Sequence, residues 1–202
     1  AKSPLAGRVK SRLARDVGVV AATAFYRHAS RATIARLAAD SRWRTVVAVA
    51  PDRDVAAPHW PRNISRIAQG PGDIGARMQR LLECMPPGPV VVIGTDVPGI
   101  ERSHIATAFQ LLGDHDAVFG PAEDGGYWLV GQRRTPRPLR AFTGVRWSSE
   151  HALADTLARH RRHRTAFVAR LADVDTGADL AARQHGADDR SVSRLFEYDA
   201  CT

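Results

Sequence analysis

Short apolar runs alternate with amphipathic segments along most of the chain, and this alternation constrains the fold more than any other feature. Apolar and β-branched runs predict strands at 45–50, 63–68, 90–94, 117–120, 127–131 and 165–171. Apolar residues at helical spacing predict helices at about 21–39, 75–83, 103–112 and 149–160, the third of them capped by Ser103. We therefore predict an α/β fold with a mostly parallel sheet covered by helices on both faces.

Length and composition suit one domain. A chain of 202 residues with 44% hydrophobic residues can bury a single full core, which we place at 1–185, followed by a C-terminal tail at 186–202. No apolar run reaches the roughly 18–20 residues that span a bilayer. The opening sequence lacks the apolar segment of a signal peptide, and the two cysteines lack metal-binding spacing. We expect a cytoplasmic protein.

The chain is strongly basic, with a net charge of +8, which raises the question of nucleic-acid binding. The basic residues are scattered, however, and no basic run alternates with aromatic residues. We therefore expect no nucleic-acid partner and instead an attraction for small anions. Only Lys2 and Lys10 among the 29 basic residues are lysines. Because lysine and arginine are not interchangeable, we interpret Lys10 as a phosphate contact, chance placement being the alternative.

Acidic residues follow two of the predicted strands. Asp96 lies just beyond the run at 90–93, and Asp173 and Asp175 alternate after the last strand. Ligands of open α/β sheets bind outside the carboxyl ends of strands, and Mg²⁺ prefers one or two carboxylates together with substrate phosphates. Asp96 and Asp175 are therefore candidate metal ligands. The alternatives are a loop-shaping role for Asp96 and helix capping around Thr176.

Three glycine-containing segments are candidate ligand loops. The opening one places Gly7, Arg8, Lys10 and Arg12 before a helix, which suits a phosphate, although it could be only a solvated basic face. The second, at 70–78, is a weak candidate for cradling a nucleotide. The third, at 120–131, permits a close approach to a ligand but also fits a hairpin turn. The candidate residues of the second and third loops are Gly72, Gly75, Arg77, Asp124, Gly125 and Gly126.

Six motifs in a fixed order carry a family resemblance. They lie at 1–14, 70–78, 90–100, 120–131, 145–149 and 173–180. Together they closely resemble the bacterial glycosyltransferase-like family first described as a domain of unknown function, also called radical-SAM/selenodomain-associated transferase family 1. The resemblance covers about residues 1–185. More distantly, the chain is similar to 2-phospholactate guanylyltransferase and the molybdenum-cofactor guanylyltransferases.

This resemblance implies a three-layer αβα GT-A fold, which is Rossmann-like and binds nucleotide-diphosphate sugars or nucleoside triphosphates, usually with Mg²⁺ or Mn²⁺. The implied protein is a metal-dependent glycosyltransferase with an unknown small-molecule acceptor. The alternatives are a nucleotidyltransferase that releases pyrophosphate and a non-catalytic nucleotide-binding protein. The chain departs from the pattern of related enzymes because Asp96 follows Gly94 and Thr95 and is not part of an Asp-x-Asp. It also has no Gly-Gly-x-x-x-Arg, and the first strand of this fold would precede Lys2.

The resemblance also implies roles for individual residues. Asp96 matches the metal-binding acid, and Asp175 matches a late acid that completes the metal site. Lys10 and Arg12 match a phosphate-contacting loop, with Asp124 as the candidate base toward an acceptor. The remaining expectations are phosphate or nucleotide contacts at Gly7, Arg8, Gly72, Gly75 and Arg77, and donor or acceptor contacts at Gly125, Gly126, Trp147 and Ser148.

Overall fold

The computed structural model describes residues 1–183, and the predicted tail at 186–202 lies outside them. Helices and strands alternate as predicted. The helices are α1 Ser11–Val17, α2 Val19–Ala38, α3 Ile74–Cys84, α4 Arg102–Leu111 and α5 Ala152–Arg159, with a further helical segment at 177–183. The strands are β1 Val46–Val49, β2 Ser65–Ala68, β3 Val90–Ile93, β4 Ala117–Pro121, β5 Tyr127–Gln132 and β6 Thr165–Phe167.

The strands form two hydrogen-bonded groups. In the first, β1 and β2 are parallel, and Lys2 bridges in parallel to Ala50, so the opening residues extend beside β1. The second has the order β3-β5-β4-β6, in which β4 and β6 are parallel and β5 runs antiparallel to both of its neighbours. The α/β architecture is confirmed, with one strand reversed within the larger sheet.

The densest packing surrounds β4 and β5. Every residue of β4 is buried, and so is every residue of β5 after Tyr127. Phe119 and Leu129 have no exposed surface. Each large apolar side chain buried in this way contributes about 1.5–3 kcal/mol to stability. The four residues of β3 are apolar as well but are only half-buried.

The strand directions bring the candidate loops to one edge. Ile93 at the end of β3 lies opposite Leu129, and Pro121 at the end of β4 lies opposite Tyr127, where β5 begins. Ala122 also bridges in parallel to Leu171. The loops after β3, between β4 and β5, and after residue 171 therefore meet at the same edge of the sheet.

Two local predictions need correction. Helix α4 is capped by Glu101 rather than by Ser103, because the Glu101 side chain and the ring of His104 each accept the other residue's backbone N–H in a capping box. The last predicted strand ends at Phe167 instead of Leu171, and only an isolated bridge follows. Within residues 1–183, no helix combines the length and apolarity needed to cross a membrane.

Candidate active site

A buried ammonium group joins two carboxylates that are far apart in sequence. Nζ of Lys10 lies 2.9 Å from Oδ2 of Asp96 and 2.8 Å from Oδ1 of Asp175. The lysine side chain is 4% exposed, whereas the side chains of Asp96 and Asp175 are 37% and 31% exposed. The lysine therefore approaches from the protein side and leaves part of each carboxylate facing solvent. We call Lys10, Asp96 and Asp175 the acid–lysine cluster.

The chain around Lys10 sets up this approach. Lys10 precedes α1 in the left-handed conformation, with φ 46° and ψ 50°, and its carbonyl accepts the N–H of Ala14. A left-handed residue other than glycine costs roughly 1–2 kcal/mol, which the surrounding contacts must offset. Arg12 lies two residues further along, 64% exposed, with its Nη1 3.4 Å from Asp175. Arg12 is the more available of the two cations for a ligand.

Burial and charge act in opposite directions on the lysine. Burial alone lowers the pKa of Lys10, but Asp96 and Asp175 favour the ammonium form, and together they raise its pKa above the usual value. Burial also raises the pKa of the nearby Asp173, and the negative charge of Asp175 adds to that effect. The charge of Asp124 acts in the same direction, which places that residue within electrostatic range of the cluster.

Helix α2 supports the site from behind through polar residues that the sequence pattern did not reveal. Tyr26 accepts the backbone N–H of Lys2 at 2.8 Å and donates to its carbonyl. Oγ of Ser30 lies 3.3 Å from Oγ1 of Thr95, which adjoins Asp96. Tyr26 and Ser30 lie four residues apart and therefore face the same side of the helix. Four buried polar residues, Thr23, Tyr26, Ser30 and Thr33, recur at helical spacing along this face, and that repeat is the signal that could have found them.

The loop that carries Asp175 is held on both sides. Thr176 caps the helical segment that follows, as predicted, since its Oγ1 accepts the N–H of Asp179. Oδ2 of Asp179 accepts the N–H groups of Asp175 and Thr176 in return. Oδ2 of Asp16 in α1 accepts the N–H of Gly177 at 2.7 Å. Helix capping around Thr176 therefore does not exclude a ligand-binding role for Asp175, because the same hydrogen bonds that cap the helix also hold Asp175 in position.

The donor chemistry of the cluster fits a hard divalent cation. Asp96 and Asp175 supply carboxylate oxygens at a partly open edge of the sheet. Among residues 1–183, no group of three or more His, Cys, Asp or Glu side chains is arranged to hold a metal ion. Two carboxylates suit Mg²⁺, which commonly takes one or two protein carboxylates and completes its shell with water and substrate phosphates.

The glycine-rich loop, residues 69–73, is built locally. Gly70 and Gly72 have φ 78° and 97°, values that favour glycine. Arg80 donates to the carbonyls of Gln69 and Pro71 at 2.6 and 3.0 Å. One guanidinium nitrogen of Arg77, a predicted phosphate contact, donates to the Gly72 carbonyl. At the end of the loop, the Asp73 side chain caps α3 by accepting the N–H of Ala76.

The loop between β4 and β5 depends on a glycine. Gly125 has φ 81°, and a Cβ there would collide with the backbone carbonyl of Glu150. The carbonyl of Gly125 accepts the N–H of Leu153, which fixes the loop to the start of α5. Oδ1 of the exposed Asp124 accepts the N–H of Gly126 at 2.9 Å. Asp124 thus shapes the turn with one oxygen.

Trp147 contacts a neighbouring candidate loop. A Cβ on the buried Gly75 would meet its indole ring at 2.6 Å. The ring also lies 6.4 Å from that of Tyr127 and 6.2 Å from that of Phe142. Trp147 therefore packs against the start of α3, and Ser148 beside it is exposed with φ 58°.

In the opening segment, Gly7 and Arg8 are exposed. Gly7 has φ 72° and open space where a Cβ would lie.

The structure thus brings Lys10, Arg12, Asp96 and Asp175 into direct contact and places Asp124 near them. The glycine-rich loop and Trp147 form a second group, because Trp147 contacts Gly75 at the start of α3, directly after the loop.

Over residues 1–183 the architecture is the three-layer GT-A fold of the nucleotide-diphospho-sugar transferases, with parallel sheet portions and no closed barrel. Residues 33–149 match the family model described as "Uncharacterized protein conserved in bacteria (DUF2064)". The chain belongs to this bacterial family.

Solved structures share the fold. A "putative nucleotide-diphospho-sugar transferase" from Desulfovibrio desulfuricans G20 is 29% identical with a TM-score of 0.79, over 89% of this chain and 81% of that one. The 4-diphosphocytidyl-2C-methyl-D-erythritol synthase of Anaerococcus prevotii is 10% identical with a TM-score of 0.54, over 81% and 86% of the two chains. The second likeness shows the fold alone. No curated protein matches the chain.

Proposed function

We propose that the protein is a transferase that uses a nucleotide-activated donor, and that it transfers the sugar of a nucleotide-diphosphate sugar to a small acceptor. The observation that carries this proposal is the convergence of Asp96 and Asp175 at the ligand-binding edge, beside the exposed Arg12. An acid pair suits a cation bridged to a diphosphate, and an exposed guanidinium suits the phosphate oxygens. The likeness to the D. desulfuricans protein supports the same donor class.

Asp96 and Asp175 would hold Mg²⁺ or Mn²⁺. Such an ion supplies positive charge against the diphosphate as it leaves. Arg12, with Arg8 nearby in the opening segment, would contribute further charge to the phosphates. The 69–73 loop would lie beside the nucleotide, because it leads into the N-terminus of α3.

Transfer breaks the bond between the anomeric carbon and the diphosphate oxygen, and the electron pair leaves with the nucleoside diphosphate. A hydroxyl oxygen of the acceptor forms the new bond to that carbon. Its proton passes to a carboxylate, for which we propose Asp124, since it is exposed at the same edge. One of its oxygens accepts the Gly126 N–H at 2.9 Å, which fixes the carboxylate against its own loop.

A thermal-shift screen of nucleotides and nucleotide sugars, with and without Mg²⁺ and Mn²⁺, tests the proposal. A ligand at 100 times its dissociation constant adds about 2.7 kcal/mol, a readily measured shift. A cation-dependent shift with one nucleotide sugar, followed by release of nucleoside diphosphate in the presence of acceptors, is the expected result. Pyrophosphate release from a triphosphate would establish the nucleotidyltransferase alternative instead. Tight binding with no product from any acceptor would mean a binding protein.

A further inference from the structure

The ammonium of Lys10 occupies a position of the kind a bound cation takes. Its nitrogen lies within 2.9 Å of one oxygen on each of two carboxylates, Asp96 and Asp175. The lysine side chain is almost completely buried while the acids remain about one-third exposed. The positive charge therefore lies on the buried side of the site, beneath the carboxylate oxygens that face solvent.

The backbone holds this ammonium in place. Lys10 is fixed in a left-handed conformation at the start of α1, where its carbonyl accepts the N–H of Ala14. The same helix buries Leu13 completely and, through Asp16, holds the loop that follows Asp175. Lys10 is therefore a fixed part of the cluster, and two of the three N–H donors of its ammonium are directed to the acids.

The charges of the cluster decide how it treats a second cation. Two carboxylates carry two negative charges, and the ammonium cancels one of them. A single remaining negative charge attracts a divalent ion weakly, because each protein charge near the ion contributes directly to its affinity. The phosphates of a nucleotide would supply the missing negative charge.

We infer that Lys10 is the resident counter-cation of the Asp96–Asp175 pair and weakens binding of a free divalent ion, so that the ion binds chiefly together with a nucleotide. This inference rests on the proposed function for its last step, the role of the nucleotide. The competition between the ammonium and the divalent ion rests only on the distances and burial of the three side chains.

Arg12 provides a matched comparison. It also contacts Asp175, but at 3.4 Å and with a side chain that is 64% exposed. Solvent and salt screen such an exposed pair, so its effect on a nearby ion is small. Removing the charge of Arg12 is therefore a control for the general loss of one positive charge from this edge.

Titration with Mn²⁺ alone, followed by electron paramagnetic resonance, tests the competition without any nucleotide. Lys10→Met should bind Mn²⁺ at least about tenfold more tightly than the natural protein, because the ammonium of Lys10 is buried beside both acids and its repulsion of the ion is little screened by solvent. Lys10→Arg, which keeps the charge, should remain within about threefold, and Arg12→Met should change affinity by a similarly small factor. Lys10→Gln is a second neutral variant should Lys10→Met fail to fold, as judged by circular dichroism.

Equal or weaker Mn²⁺ binding by both folded neutral variants would overturn the inference, because it would mean that Lys10 only positions the acids. A tenfold gain in Arg12→Met as well would also overturn it, since any nearby charge would then act alike. The result is independent of the proposed function: failure to find sugar transfer would leave the Mn²⁺ comparison intact, and an overturned comparison would leave the transfer assay intact.

Discussion

The acid–lysine cluster and the glycine-rich loop lie at the same end of the molecule but are built in opposite ways. In the cluster, Lys10 and Asp175 meet across 165 positions of sequence through ionic contacts. In the loop, Arg80 reaches carbonyls no more than 11 positions away, and two glycines set the backbone. A long-range charged site responds chiefly to changes of charge, whereas a local backbone loop responds chiefly to changes of shape.

The largest loss of stability from a change of backbone shape is expected at Gly125, in the loop between β4 and β5 at this edge. Gly125→Ala would force a Cβ into the Glu150 carbonyl at a positive φ, which should lower the free energy of unfolding by about 3 kcal/mol. Gly7→Ala is the matched control, because Gly7 also has a positive φ but no neighbour within 4 Å. Urea unfolding of both variants measures the difference. Equal losses would show that φ, and not the close approach to Glu150, makes this glycine necessary.

The sequence predicted the helix that follows the loop better than the contacts of the cluster, and the reason is physical. The start of α3, predicted at residue 75 and found at Ile74, depends on neighbouring residues, so local rules are sufficient, although the Asp73 cap was not predicted. Asp96 and Asp175 were predicted as a metal pair from strand ends and from family resemblance, but the lysine between them was assigned to phosphate. Ion-pair partners depend on the packing of α1 against the sheet edge, which no local pattern encodes.

The fold shows the same division. Strand and helix positions followed from periodicity, with errors of a few residues at the ends. The antiparallel direction of β5 agrees with the hairpin turn that the sequence offered as one interpretation of 120–131, and the short connection at 122–126 makes that turn. The polar contacts behind the site, such as Ser30 with Thr95, were not predicted. They join elements 65 positions apart.

An intermediate effect is expected at the loop itself. Arg80→Met removes two hydrogen bonds to loop carbonyls and should cost about 1–2 kcal/mol of stability. It should also weaken nucleotide binding while leaving Mn²⁺ binding unchanged. Arg77→Met removes one bond to Gly72 and should cost about 0.5–1 kcal/mol. Thermal melts and calorimetry measure both quantities. A changed Mn²⁺ affinity in Arg80→Met would mean that the glycine-rich loop and the acid–lysine cluster are coupled and do not act independently.

The smallest effect concerns pH and lies away from both regions. Burial lowers the pKa of His160 below its usual 6.5, and the charge of His163 lowers it further. The hydrogen bond between the His160 ring and the Thr156 carbonyl acts in the opposite direction but is outweighed. As the pH falls, His160 therefore becomes protonated at a higher pH in the unfolded chain than in the folded protein. The contribution to stability is complete above about pH 6.5 and is lost as the pH falls from there through the lower folded value.

Urea unfolding at several pH values between 7.5 and 5 measures this loss. His160→Leu should reduce the decline in stability over that interval, whereas His28→Leu, at an exposed histidine, should leave it unchanged. An equally steep decline in His160→Leu would assign the acid sensitivity to other groups.

The central claim is that a nucleotide binds beside the acid–lysine cluster with the help of a divalent ion. Calorimetric titration of the natural protein and of Asp96→Asn with the nucleotide selected by the thermal screen, with and without Mn²⁺, tests it most directly. We expect Mn²⁺ to strengthen nucleotide binding at least about tenfold in the natural protein and in Asp114→Asn, an exposed control beyond α4, but not in Asp96→Asn. The same Mn²⁺ enhancement in Asp96→Asn would contradict it.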